Sequence, residues 1–220
     1  MTRVLAVVGA AVSTLVVLAA CGSSVVPGSP ASSGGSSSQS TVATTPSKPA
    51  PDLKPQLLTV AGMPSGWAVD NSSDDSGGGA PPCVKNLKSS TDAPAKAQAD
   101  FVKGSDIPTF SQQIGYLGTP ATATEKFSII KATLDACKDL SFTSDGHHFK
   151  GAIGAMSFPK LGDRSGAWSI TESAEGVDIG IYVVFVQKGA EIEDLLYADL
   201  GTPDLDEYTT LVNAAVAKMP

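Results

Sequence analysis

The chain is poor in the residues that most catalysis and most nucleic-acid recognition require. Histidine occurs twice, as His147 and His148. Adjacent residues on a strand face opposite sides, so a Ser-His-Asp array could recruit only one of them, and a metal site using both would need a bulge. Cysteine occurs three times, at positions 21, 83 and 137, and never as CxxC, which leaves no support for a dithiol redox pair or a cysteine zinc site. Lys and Arg total 15 against 22 Asp and Glu and gather into no stripe. A nucleic-acid face needs clustered cations to displace the counterions of phosphates, so that class drops out. There is no G-x-S-x-G elbow, no H-E-x-x-H, no G-x-x-x-x-G-K-[ST], and no G-x-G-x-x-G after a strand. No cofactor, metal or catalytic residue is expected.

What the chain does have begins at its amino terminus. Residues Val4 to Ala20 form an uncharged, largely apolar run of 17 residues behind Met1-Thr2-Arg3, closed by Leu18-Ala19-Ala20-Cys21. One basic residue, a hydrophobic segment and small residues at a cut site make a secretory signal over 1–20. The run is at the short limit for crossing a hydrocarbon core of about 30 Å. The pattern resembles the lipobox of bacterial lipoproteins. That resemblance implies cleavage before Cys21, acylation of its thiol and new amino terminus, and a lipid-anchored place on the extracytoplasmic side of the cell membrane. Each buried CH₂ contributes about 0.8 kcal/mol, and two or more chains make anchoring stable where one is marginal. An uncleaved membrane anchor, a soluble secreted product and a buried cysteine without special role are the alternatives. Removal of 1–20 takes the formal charge from −7 to −8, because Arg3 is the only charge in that segment.

With Cys21 assigned to lipid, Cys83 and Cys137 remain, and an even remainder in an exported chain invites pairing. The loop closed would be about 55 residues, for which chain entropy gives on the order of 4 kcal/mol. Two buried free thiols are the alternative.

Residues 21–52 carry the lipidated cysteine and then Ser, Gly, Thr, Pro and Ala with little else, too little apolar surface to offset the entropy of ordering. About 30 such residues have an r.m.s. reach of roughly 30 Å, enough to hold a domain clear of headgroups. Residues 53–220 then suit a single globular domain. Pro55 to Val60 reads as a short helix stopped by Gly62 and Pro64, and Pro64-Ser65-Gly66 as a turn that delivers Trp67 into the core. Residues 71–82 read as an exposed loop. Ala97, Ala99 and Phe101 alternate with Lys96, Gln98 and Asp100, and a second strand over Phe110 to Leu117 follows a hairpin loop. Phe127, Ile130, Leu134 and Cys137 recur at three and four, a helix capped by Thr119 and started by Pro120. Cys137 shares that buried stripe, which favours a structural disulfide.

Leu140 to Ser144, an Asp145-Gly146 turn and His147 to Phe158 make a hairpin. Trp168 and Ile170 face away from Ser169 and Thr171 on the next strand. Ile179 to Val186 is apolar on both faces, as a central strand should be. Ile192 to Leu200 suits a helix or a strand; the turn before it favours strand. In the last helix Thr202 caps, Pro203 starts, and Leu205, Tyr208, Leu211, Val212, Ala215 and Val216 form one face. The whole is an α+β domain: an antiparallel sheet of about six or seven strands with two long helices packed against it. Glu191, Glu193 and Asp194 read as the wet side of an edge hairpin, and Glu172 and Glu175 as residues flanking a turn. Trp67, Trp168, Tyr116, Tyr182 and Tyr197 read chiefly as core, with a pocket-lining role for two of them as the alternative.

Leu57-Leu58-Thr59, Met63-Pro64-Ser65-Gly66-Trp67, a cysteine on the helix after a hairpin, the Gly162-Asp163 turn and Leu196-Tyr197-Ala198-Asp199-Leu200-Gly201 resemble the extracellular sensor domain of mycobacterial PknH-type receptor kinases and related actinobacterial surface lipoproteins. The resemblance implies an α+β domain with a cleft for an unidentified ligand. It departs in offering one disulfide where the kinase domains hold two, and in residues 1–52, which hold no kinase module. The expected function is a non-enzymatic, sensor-like binding module of the cell envelope, taking a small or lipid-like ligand or an envelope protein. The alternatives are a carrier of hydrophobic molecules, which needs a large apolar cavity, and a cell-wall hydrolase.

Overall fold

The computed structural model describes residues 49–71, 83, 92–144, 147–174 and 176–220. The expected signal segment, Cys21 and most of the expected tether lie outside the described residues, as do Glu175, the expected Asp145-Gly146 turn and 72–82 of the expected loop. Among the described residues no helix is long and apolar enough to cross a membrane.

Among the described residues eight strands form one antiparallel sheet: β1 (Trp67–Val69), β2 (Ala95–Lys103), β3 (Thr109–Tyr116), β4 (Asp139–Ser144), β5 (His147–Ala155), β6 (Arg164–Ala174), β7 (Val177–Lys188) and β8 (Glu191–Leu200). Their order is β1-β2-β3-β8-β7-β6-β5-β4. The expected six or seven strands thus fall one or two short; the three-residue β1 has too little sequence to show alternation. Among the described residues the helical elements are α1 (Pro120–Ala136), α2 (Leu205–Val216) and two 3-10 turns, Lys54–Gln56 and Val60–Gly62, rather than just the two long helices expected; α2 is short because it starts only at Leu205. Those turns replace the expected single helix over 55–60: Leu57 takes an extended conformation that ends the first, and the next begins only after Thr59.

Helix α1 carries the chain from β3, across one face of the sheet, to β4 at the far edge. Thr119 Oγ1 accepts the Thr122 N–H and Pro120 opens the helix, so the N-cap chemistry is the expected one. Ala123, Phe127, Ile130 and Leu134 then pack on Ile153, Trp168, Ile170, Ile181 and Val183. The opposite face is covered by α2, whose Tyr208, Leu211, Val212 and Ala215 meet Val184, Val186, Leu195 and Tyr197. Covered on both sides, β7 needs apolar residues at consecutive positions, which explains its pattern. Helix α2 starts later than expected: Asp204, not Thr202, is the cap, and its Oδ1 accepts the N–H groups of Asp206 and Glu207. Pro203 packs over Gly180, where a Cβ would lie 2.4 Å from the proline Cδ, so the proline closes the loop rather than opening the helix. Leu205 consequently points to solvent.

Cys83 and Cys137 are joined by a disulfide, with Cα atoms 5.6 Å apart. Cys137 is buried just past the end of α1, beside Leu134 and Leu140. Strand β5 ends at Ala155, short of the expected Phe158, which leaves the sheet and packs on Tyr208.

Candidate functional site

None of the five aromatic residues considered above lines the cleft described below. Trp67, Trp168 and Tyr197 are buried core residues, Tyr182 lies against Tyr208, and the Tyr116 hydroxyl donates to the Gly118 carbonyl. His148 is exposed, with Thr143 Oγ1 at 3.4 Å from its Nδ1. The backbone of His147 pairs with Ser144.

One polar network within the core is structural. Glu207, in the first turn of α2, accepts from Trp67 Nε1 at 3.1 Å, Lys103 Nζ at 2.7 Å and Tyr197 Oη at 3.1 Å. Desolvation works against its charged form, but these three donors together outweigh it and hold the carboxyl below its ordinary value of 4.5. The Pro64-Ser65-Gly66 turn delivers Trp67 inward as expected, with Gly66 at φ +93°, and its indole N–H then ties β1 to α2.

The carboxylates expected at a wet edge are elsewhere. Strand β8 is central, because β3 pairs along its outer side from Thr109↔Ala198 to Tyr116↔Glu191. Glu191 is therefore 5% and Glu193 0% exposed, both beneath the segment that includes Gln56. Burial raises the Glu193 carboxyl to about 7, against a hydrogen bond from Gln112. Asp194 faces the other way; burial raises it to about 7 as well. Glu172, expected beside a turn, is 7% exposed and is raised to about 7 by burial. These groups are walled into packed layers, and none of them lines the cleft described next.

A cleft does open at the β1–β2 edge of the sheet. It has a volume of about 390 Å³ and is formed where the second 3-10 turn and the end of β1 stand over β2. Val60 and Val69, 42% and 49% exposed, form an apolar rim with Leu58. The polar wall is ordered by its own bonds: Asp100 accepts from Ser111 Oγ at 2.6 Å and Gln98 Nε2 at 2.8 Å, while Gln98 Oε1 accepts from Gln113 Nε2 at 3.1 Å. The Asp70 N–H donates to the Asp100 carbonyl and carries the chain along the edge. Asp100 gives the lining an anionic side chain, and among the described residues the lining includes no Lys, Arg, His or Cys. Such a surface can hold an amphipathic group carrying a cation or hydrogen-bond donors; it has no base-and-nucleophile pair. Sequence alternation found Gln98 and Asp100 as the outward face of β2, but not the cleft, because β1 and the turns that wall it are too short to read.

No family model matches the chain, and no curated protein matches it. Among solved structures, the fold is similar to the extracellular domain of PknH from Mycobacterium tuberculosis, at 12% identity and a TM-score of 0.46, over 56% of this chain and 62% of that one. The sensor-domain resemblance read from the sequence thus meets a partial likeness of fold, and no residue role is taken from it.

Proposed function

We propose that this chain is a membrane-tethered, extracytoplasmic binding module whose edge cleft holds an amphipathic ligand with a cationic or donor-bearing end. The observation that carries this reading is the cleft itself: open, apolar at its valine rim, anionic at Asp100, and without catalytic pairing among the described residues. At about 390 Å³ it lies at the lower end of the roughly 300–1,000 Å³ of small-molecule sites. It is neither enclosed nor apolar throughout, so it does not favour a carrier of hydrophobic molecules, and its lining does not favour a hydrolase. The lipobox-like Leu18-Ala19-Ala20-Cys21 supports an anchor through acylated Cys21.

The test has two arms. In the host, Cys21→Ala moves the protein from the membrane fraction to the medium or stalls its processing; unchanged detergent partitioning of that variant refutes the anchor. For the cleft, mass spectrometry compares small molecules co-purifying with the full chain and with Asp100→Lys. A cationic or amine-bearing species retained by the first and lost by the second is the expected result. Identical profiles refute the assignment of the cleft.

A further inference from the structure

We infer that Glu191, Glu193 and Gln56 form a site for a hard divalent cation, calcium or magnesium, in the seam where the segment around Gln56 crosses the sheet. Glu191 and Glu193 stand two residues apart on one face of a central strand, opposite Tyr116 and Ile114. Both are more than nine-tenths buried. Gln112, on the same face of β3, fixes the polar geometry. Its Oε1 accepts the Leu58 N–H at 2.7 Å, so its Nε2 must turn to Glu193 Oε1 at 2.6 Å and the Gln56 carbonyl at 3.2 Å. Gln56 Nε2 in turn donates to Glu191 Oε1 at 3.1 Å.

Both Gln112 Nε2 and Gln56 Nε2 are thus engaged, and three oxygens are left over. Glu191 Oε2, Glu193 Oε2 and Gln56 Oε1 are buried without a hydrogen-bond partner. No basic residue compensates the two carboxylates: the ion pairs among the described residues join Lys96 to Asp92, Lys103 to Glu207 and Lys131 to Asp135. Buried charges are ordinarily paired or coordinate a metal, and an unpartnered buried acceptor is costly. A donor set of two carboxylates and an amide carbonyl contains no sulfur or imidazole, so it suits an oxygen-seeking cation rather than zinc or copper. A cation there would tie β8 to Gln56 and so fasten the amino-terminal segment to the domain. The inference does not depend on the edge cleft, from which Glu191 and Glu193 are absent.

The test uses the full chain in detergent, stripped with chelator and held near neutral pH. Calcium chloride and magnesium chloride are added separately up to about 10 mM, above the roughly 10⁻⁴–10⁻³ M range of extracellular calcium modules. The melting temperature rises with at least one ion, calorimetric titration gives saturable binding, and Glu193→Gln and Glu191→Gln each weaken that binding tenfold or more. Glu172→Gln, on the opposite face, leaves it unchanged. Glu193→Gln removes an uncompensated charge while keeping the amide-sized side chain, so the variant remains folded in the absence of ions and the comparison holds. Absence of any shift or heat with either ion overturns the site. Stabilisation by acidification alone, with no response to ions, also overturns it, since a shared proton then fills the seam.

Discussion

Replacing Glu172 by glutamine should change how stability depends on pH, and the size of the change follows from where the residue sits. Glu172 lies on β6 between Gly151 of β5 and Ile179 of β7, on the face that α1 covers. No cation or hydrogen-bond donor among the described residues reaches it, and desolvation alone raises its carboxyl from 4.5 to about 7. Folding therefore favours the protonated form. The stability linked to this group is fully present below about 4.5, is lost as pH rises through about 7, and stays lost above that. A displacement of that size corresponds to about 3 kcal/mol as an upper bound. Glu193 and Asp194 are displaced in the same direction over the same window, so the absolute profile of the wild-type chain sums several groups. The difference between Glu172→Gln and wild type isolates one. Urea unfolding should give nearly equal free energies at pH near 4.5, with the variant more stable by about 2–3 kcal/mol at pH near 8. In a domain of this size that corresponds to a melting temperature higher by about 4–12 °C. Parallel curves for the two proteins, or a variant less stable than wild type at the higher pH, would refute the reasoning.

Two further substitutions probe how the layers are fastened. Glu207→Ala should destabilise the domain by about 2–4 kcal/mol in urea, because it leaves the buried Trp67 N–H and Tyr197 hydroxyl without their acceptor; a loss below about 1 kcal/mol refutes that role. Folding favours the charged form of Glu207, so its contribution is present above 4.5 and is lost on acidification, the reverse of Glu172. Replacing both Cys83 and Cys137 by serine should lower stability by up to about 4 kcal/mol, since the bond closes a loop with a sequence separation of 54. Reduction of the wild-type protein should reproduce the same loss, and equal urea midpoints with and without reductant would contradict it.

What could be read from the chain was local. The alternation of Ala97, Ala99 and Phe101, the three-and-four spacing of Phe127, Ile130 and Leu134, and the Thr119-Pro120 start each depend on neighbours within a few residues, and each element formed. The Cys83–Cys137 bond was accessible by counting, since lipid claims the third cysteine in that reading. What escaped was decided by pairing across long separations. Residues 191–194 look like the wet side of a hairpin when β8 is viewed with β7 alone. The docking of β3 on its other side, more than 70 residues earlier in sequence, turns that edge into a centre.

The sequence held one signal of this. Gln112 interrupts the apolar face of Phe110 and Ile114, and Ile192, Leu195 and Leu196 are apolar on both sides of β8, which an edge strand does not need. A polar side chain inside an apolar face must find partners there, and it finds Leu58, Gln56 and Glu193. Topology, rather than residue type, thus separates the carboxylates of this fold into two kinds. Glu207, at a helix start within reach of β1, β2 and β8, collects three donors and stays charged. Glu172 and Glu193 sit on strands flanked on both sides and covered from above, with at most one donor, and their charge is disfavoured unless a proton or cation joins them.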